Sequence, residues 1–185
     1  MKIIYSFILL LLISCNGNNT KSQPLDVLPK FQTISELSQK AHAVNLYLYV
    51  PIYNERAPII QFGSNEFTEV VIDSFTRRLS FEEKRALDSV ITNSNPDNEI
   101  IMADCYWPHH GIVFYDKEDN IIGHLSICFS CGGYDVSQDG LYINYLDLDG
   151  IRAIFKKKGI PTPRNGDFYM HLVNWENKQV KISSH

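Results

Sequence analysis

The chain has 185 residues, 44% of them apolar and 21% charged, with 17 Lys and Arg against 21 Asp and Glu for a formal net charge of −4. That length and composition allow one ordinary hydrophobic core and exclude a disordered chain. The acidic balance argues against a nucleic-acid partner, which wants a concentrated basic face. The one basic run, Lys156-Lys157-Lys158, is too short to supply it.

The first fourteen residues, MKIIYSFILLLLIS, place one charged side chain, Lys2, ahead of an apolar run from Ile3 to Ile13. Such a run suits the core of an export signal and falls short of the roughly 20 apolar residues that span a bilayer as a helix. It ends in Leu12-Ile13-Ser14-Cys15. Those four residues resemble the lipobox of bacterial lipoproteins. The resemblance implies diacylglyceryl transfer to the Cys15 thiol, cleavage that discards residues 1–14, and often a further fatty acid on the new amino terminus. Each buried methylene contributes about 0.8 kcal/mol, so two or three acyl chains anchor durably where one does not. The expected location is a bacterial membrane, held through lipid and facing the periplasm or the cell exterior. Residues 15–30 follow Cys15 with an Asn-rich, polar stretch containing two prolines, which reads as a flexible tether. Residues 31–185 are left as a single globular domain.

Within the domain, Thr33 to His42 carries Ile34, Leu37 and Ala41 at helical spacing. Val44 to Val50 (VNLYLYV) alternates and reads as a strand ending at Pro51. Residues 51–65 read as loop around a short strand at Pro58 to Phe62, and Glu66 to Asp73 as another strand. Ser80 with Glu83 three places on forms a capping box, which predicts a helix over 81–92 with Phe81, Leu87, Val90 and Ile91 as its apolar face. Gly111 to Tyr115 and Ile121 to Phe129 flank the polar turn Asp116–Asn120, a hairpin signal. Leu141 to Leu146 reads as a strand. Asp149 is expected to cap a helix from Ile151 to Lys158 that Gly159 stops, with the three lysines at its negative end. Phe168 to Val173 reads as a last strand. Strands outnumber helices without regular alternation, so the expected fold is α+β, a mainly antiparallel sheet with two or three helices.

Cys105, Cys128 and Cys131 remain once Cys15 is assigned to lipid. An odd count allows at most one disulfide within the domain. If Tyr115 pairs with Ile121, Cys105 falls near Cys131 and Pro108 near Cys128. The same register puts His110, His124, Ser126 and Cys128 on one face, which makes His124 a ligand candidate beside His109 and His110, and Val113, Tyr115, Leu125 and Ile127 on the other. Three readings stay open. A structural disulfide would join Cys105 to Cys128 or Cys131 and staple the hairpin. Alternatively, Cys128-Phe129-Ser130-Cys131 resembles half of a zinc knuckle, which Cys105 with His109 or His110 could complete as Cys3His. The third is thiol redox chemistry, for which the context is poor, because Gly132-Gly133 does not open the helix whose amides would lower a thiol pKa.

The stretch from Cys105 through Pro108, His109 and His110 to Cys128-Phe129-Ser130-Cys131 is similar to a pattern in uncharacterised exported bacterial proteins. The resemblance implies that the cluster is a unit and assigns it no reaction. Asp135 to Gly140 alternates oxygen side chains as a calcium loop does, yet Leu146 stands where a bidentate Glu belongs, so no calcium site is expected. Familiar catalytic motifs are missing, and no catalytic residue is named. The expectation is a lipid-anchored binding or structural domain with a cysteine-fastened hairpin. The alternative is an envelope metalloprotein or thiol enzyme.

Overall fold

The computed structural model describes residues 31–50, 57–61, 65–68, 70–92, 106–136, 146–163, 168–169 and 171–172. The expected signal and tether, Cys15, Cys105 and nearly all of the strand at 141–146 lie outside them. In chain order the described elements are α1 (Ile34–Lys40), β1 (Ala43–Val50), β2 (Val70–Val71), a 3-10 turn (Asp73–Phe75), β3 (Arg77–Arg78), α2 (Phe81–Thr92), β4 (His110–Tyr115), β5 (Ile121–Cys128), β6 (Gly133–Val136) and α3 (Leu148–Lys157). The strands lie in the order β2-β1-β4-β5-β6, with β3 also on β1, and every pair is antiparallel. The domain is α+β, as its pattern predicts.

The central strands β1, β4 and β5 are buried on both faces of the sheet. Alternation along β1 sends Val44, Leu46, Leu48 and Val50 toward the helices and Tyr47 and Tyr49 to the opposite side. The helix-side core takes in Leu37 of α1, Leu87 and Ile91 of α2, and Ile151 and Phe155 of α3. On the other side, Ile59 and Ile60 cover Tyr47, Tyr49 and Val113. That cover is pinned by the Ile60–Phe67 bridge and by the Ile59 amide, which donates to the Ser126 hydroxyl at 2.9 Å.

The helix ends follow side-chain chemistry. Thr33 accepts from the Glu36 amide at 3.1 Å and opens α1. The Ser80–Glu83 box is reciprocal: Glu83 N–H donates to Ser80 Oγ at 3.3 Å, and Ser80 N–H to Glu83 Oε2 at 2.8 Å. Phe81 leaves the expected apolar face and is 73% exposed, because the first helical position points away from the core that Leu87 and Ile91 enter. In α3 the cap is Asp147 rather than Asp149, with Asp147 Oδ1 accepting from the Gly150 amide at 2.9 Å. The earlier start leaves Asp149 free to take Arg152 Nη1 at 2.7 Å. Lys158 is more than a complement to the helix dipole, since its Nζ donates to both Glu83 oxygens at 2.9 and 3.0 Å. Gly159, at φ 74°, turns the chain out of the helix.

Other expectations change. Residues 168, 169, 171 and 172 are helical where alternation predicts a strand. Phe168, Tyr169 and Leu172 pack on the helix-side core, and that packing overrides strand propensity. The strand expected over 66–73 shrinks to Val70–Val71 and a bridge at Phe67. Strand β6 occupies Gly133–Val136, where the calcium-like run begins, and Arg77–Arg78 pair with β1 unannounced by any hydrophobic pattern.

The hairpin register carries the largest correction. Tyr115 pairs with Ile121 as expected, but the ladder shifts by one between Phe114 and Tyr115 and then runs from Phe114–Gly123 to His110–Ile127. The shift is a β-bulge that puts two β5 residues, Ile122 and Gly123, opposite one in β4. Without it, Leu125 and Ile127 would face away from Ile112 and Phe114. With it, all four enter the helix-side core. Each such side chain contributes about 1.5–3 kcal/mol on burial, which outweighs one missed ladder bond of about 1 kcal/mol.

Candidate functional site

The bulge divides the expected polar cluster. His110 faces the helices with Ile112 and Phe114, while His124, Ser126 and Cys128 face the other way with Val113 and Tyr115. His110 and Cys128 therefore do not share a face, which corrects the expected geometry of a Cys3His centre built with His110. Among the described residues no three His, Cys, Asp or Glu side chains are arranged to hold a metal ion.

The histidines are packing groups. His110 is fully buried, its ring 4.7 Å from Phe129 and 5.2 Å from Phe155 between centroids, and Nε2 meets the Pro161 carbonyl at 2.9 Å. A carbonyl can only accept, so Nε2 carries the proton there. Burial pulls its pKa down to about 4, with the Pro161 bond working in the opposite direction. His109 stacks on Tyr169 at 3.6 Å with the rings 8° from parallel, and Trp107 lies 4.9 Å away on a tilt. Burial, then neighbouring His110, lowers the His109 pKa to about 3. His124 is held near about 4 by burial. All three rings are neutral at pH 7 and shielded from solutes, which suits a core and disfavours acid–base exchange with a ligand.

Cysteine chemistry gathers where β5 turns into β6. Cys128 is the last residue of β5 and is buried; Cys131 is half-buried, and both are thiols. The turn between them closes with the Gly132 amide donating to the Cys128 carbonyl at 3.0 Å. Gly132 takes φ 75°, the left-handed region that glycine enters without strain. Cys128 Sγ lies 3.1 Å from Ser130 Oγ. Burial pushes the Cys128 thiol up, and the Cys131 thiol adds to the rise.

Two residues that spacing does not single out hold this turn. Arg152 of α3 donates Nη2 to the Phe129 carbonyl at 2.6 Å, with its guanidinium 5.2 Å over the Phe129 ring. Tyr106 lays its ring against Gly133 and donates its hydroxyl to the Ser126 carbonyl at 3.3 Å. The i,i+3 pairing of Asp149 with Arg152 is a sequence signal for the first of them, though it does not indicate Phe129. Comparison with protein-family models, with curated proteins and with solved structures finds no match to this chain.

One open groove of about 640 Å³ lies where the chain leaves α3, lined by Phe75, Ile160, Pro161, Pro163 and Phe168, with Lys156. Pro161 belongs to both features, since its carbonyl takes the His110 bond. No described helix is long and apolar enough to cross a membrane.

Proposed function

We propose that the protein is a lipid-anchored domain of the bacterial envelope, facing the periplasm or the cell exterior. Its role is binding or structural, with the end of its sheet fastened by a disulfide drawn from Cys105, Cys128 and Cys131. The observation that carries the address is Leu12-Ile13-Ser14-Cys15 at the end of an eleven-residue stretch, Ile3 to Ile13, interrupted only by Tyr5 and Ser6. Two further observations agree with it. Phe31 is packed into the helix-side core, so the folded domain is already under way one residue after the polar segment ends. The described cysteines sit in a turn rather than at the start of a helix, an arrangement suited to stapling more than to a low-pKa nucleophile.

The test is metabolic labelling of cells with a clickable fatty acid. Label should appear on the parent chain and vanish in Cys15→Ser, which should also run as the uncleaved, larger precursor. Label that never appears, or that survives the substitution, removes the anchor and with it the compartment.

A further inference from the structure

We propose that Cys128 and Cys131 are a vicinal dithiol that closes to a local disulfide by exchange with an external disulfide, Cys131 attacking and Cys128 resolving. The proposal deepens the cysteine-fastened reading above and rests on it for the compartment in which the oxidant is met. It assigns the staple to the β5–β6 turn rather than to the open end of β4–β5.

The pairing follows from geometry. Cys128 and Cys131 stand three positions apart across a tight turn, closed by the Gly132 amide on the Cys128 carbonyl at 3.0 Å, which brings the two residues side by side. The turn is not free to drift, because Arg152 holds the Phe129 carbonyl at 2.6 Å and the Phe129 ring packs against Phe155 at 5.5 Å and His110 at 4.7 Å. Two thiols held together this way react as an intramolecular pair. The order of attack follows from access: Cys128 is 1% exposed, while Cys131 is half-buried. A thiol pushed up by burial is a slow attacker on a distant disulfide, yet it can still resolve one that its neighbour has brought to it.

The exchange balances. The Cys131 thiolate attacks one sulfur of the external disulfide and displaces the other as a thiolate, leaving a mixed disulfide on Cys131. Cys128 then loses its proton and attacks the Cys131 sulfur, expelling the second external thiolate. The protein gives up two protons and two electrons, and the external disulfide is reduced to two thiols. Burial disfavours a Cys128 thiolate more than its neighbours Ser130 and the Trp107 backbone favour it, so the reduced form draws no stability from that thiolate and the closed form should persist once made.

The experiment equilibrates the full chain, purified in detergent, with mixtures of reduced and oxidised glutathione, then quenches with an alkylating agent and maps the peptides by mass. The expected product has the peptide carrying Cys128 and Cys131 short of two hydrogens and unalkylated, with Cys105 alkylated, and Cys105→Ser behaves the same way. Closure of this short loop should raise Tm by roughly 4–8 °C. In Cys128→Ser the glutathione adduct should be trapped on Cys131. If that buried substitution prevents folding, Cys131→Ser reads the same order through a Cys128 that stays free of glutathione. Cys105 linked to either partner, three alkylated cysteines at every ratio, or cysteines protected until zinc is chelated would each overturn the proposal. Glutathione on Cys128 in Cys131→Ser overturns the order of attack. Because these measurements use purified protein, they stand apart from the lipid labelling. A missing label removes the address, and a missing local disulfide removes the dithiol.

Discussion

Gly111 sits where β4 runs beneath the cover on the second face of the sheet. A Cβ there would overlap the Ile59 Cδ1 methyl and lie 3.1 Å from Ile59 Cβ, and Ile59 is itself fully buried. Gly111→Ala should therefore cost about 1–3 kcal/mol through overpacking. A lower urea midpoint with an unchanged denaturant slope is the expected reading, and an unchanged midpoint would mean that the 57–61 segment yields freely. Glycines also show how residue-scale signals are misread. Gly123 inside an apolar run is the mark of a bulge, and the bulge decides which way His110 points. Reading the ladder as regular from Tyr115–Ile121 gives the wrong face for His110 and the right company for His124, Ser126 and Cys128. The contacts of His110 with Pro161, and of Arg152 with Phe129, join residues 51 and 23 positions apart, and no local spacing announces them.

At the scale of elements, Glu83 joins two helices. It closes the capping box of α2 and takes Lys158 from the end of α3, and the Ser80 amide first, then Lys158, holds its carboxyl below the usual range. Glu83→Gln keeps a capping amide and removes the charge, whereas Glu83→Ala removes both. The alanine variant should lose about 1–2 kcal/mol and the glutamine variant less, measured by thermal unfolding at neutral pH. Equal losses would assign the whole effect to the ion pair. Elements with a strong local signature were legible in the sequence: the capping box of α2, the alternation of β1, and the Asp116 turn, whose carboxylate accepts the Glu118 and Asn120 amides at 2.9 and 2.8 Å. Elements that owe their form to distant neighbours were not. Arg77–Arg78 form a strand because β1 offers an edge, and residues 168, 169, 171 and 172 turn helical because Tyr169 and Phe168 find the core.

For the whole molecule, three buried neutral histidines set the response to acid. His109, His110 and His124 have pKa values lowered to about 3, 4 and 4, against an ordinary value of 6.5. The unfolded chain takes up protons below pH 6.5, and the folded chain does not until near pH 4. Stability is therefore complete above pH 6.5 and falls as pH drops toward 4, by as much as about 4 kcal/mol per pH unit when all three sites act together. Urea midpoints should drop sharply between pH 7 and pH 5, and His110→Gln should flatten the drop. A midpoint that holds through that window would show that the rings are protonated or solvated in the folded state.

Central strands with no watered face have a cost before they are folded. The runs His110–Tyr115 and Ile121–Cys128 contain neither a carboxylate, a lysine, an arginine nor a proline. Bare segments of that kind stack readily into cross-β aggregates. Until the helices and residues 57–61 close over them, these two strands are the part of the chain most open to such stacking.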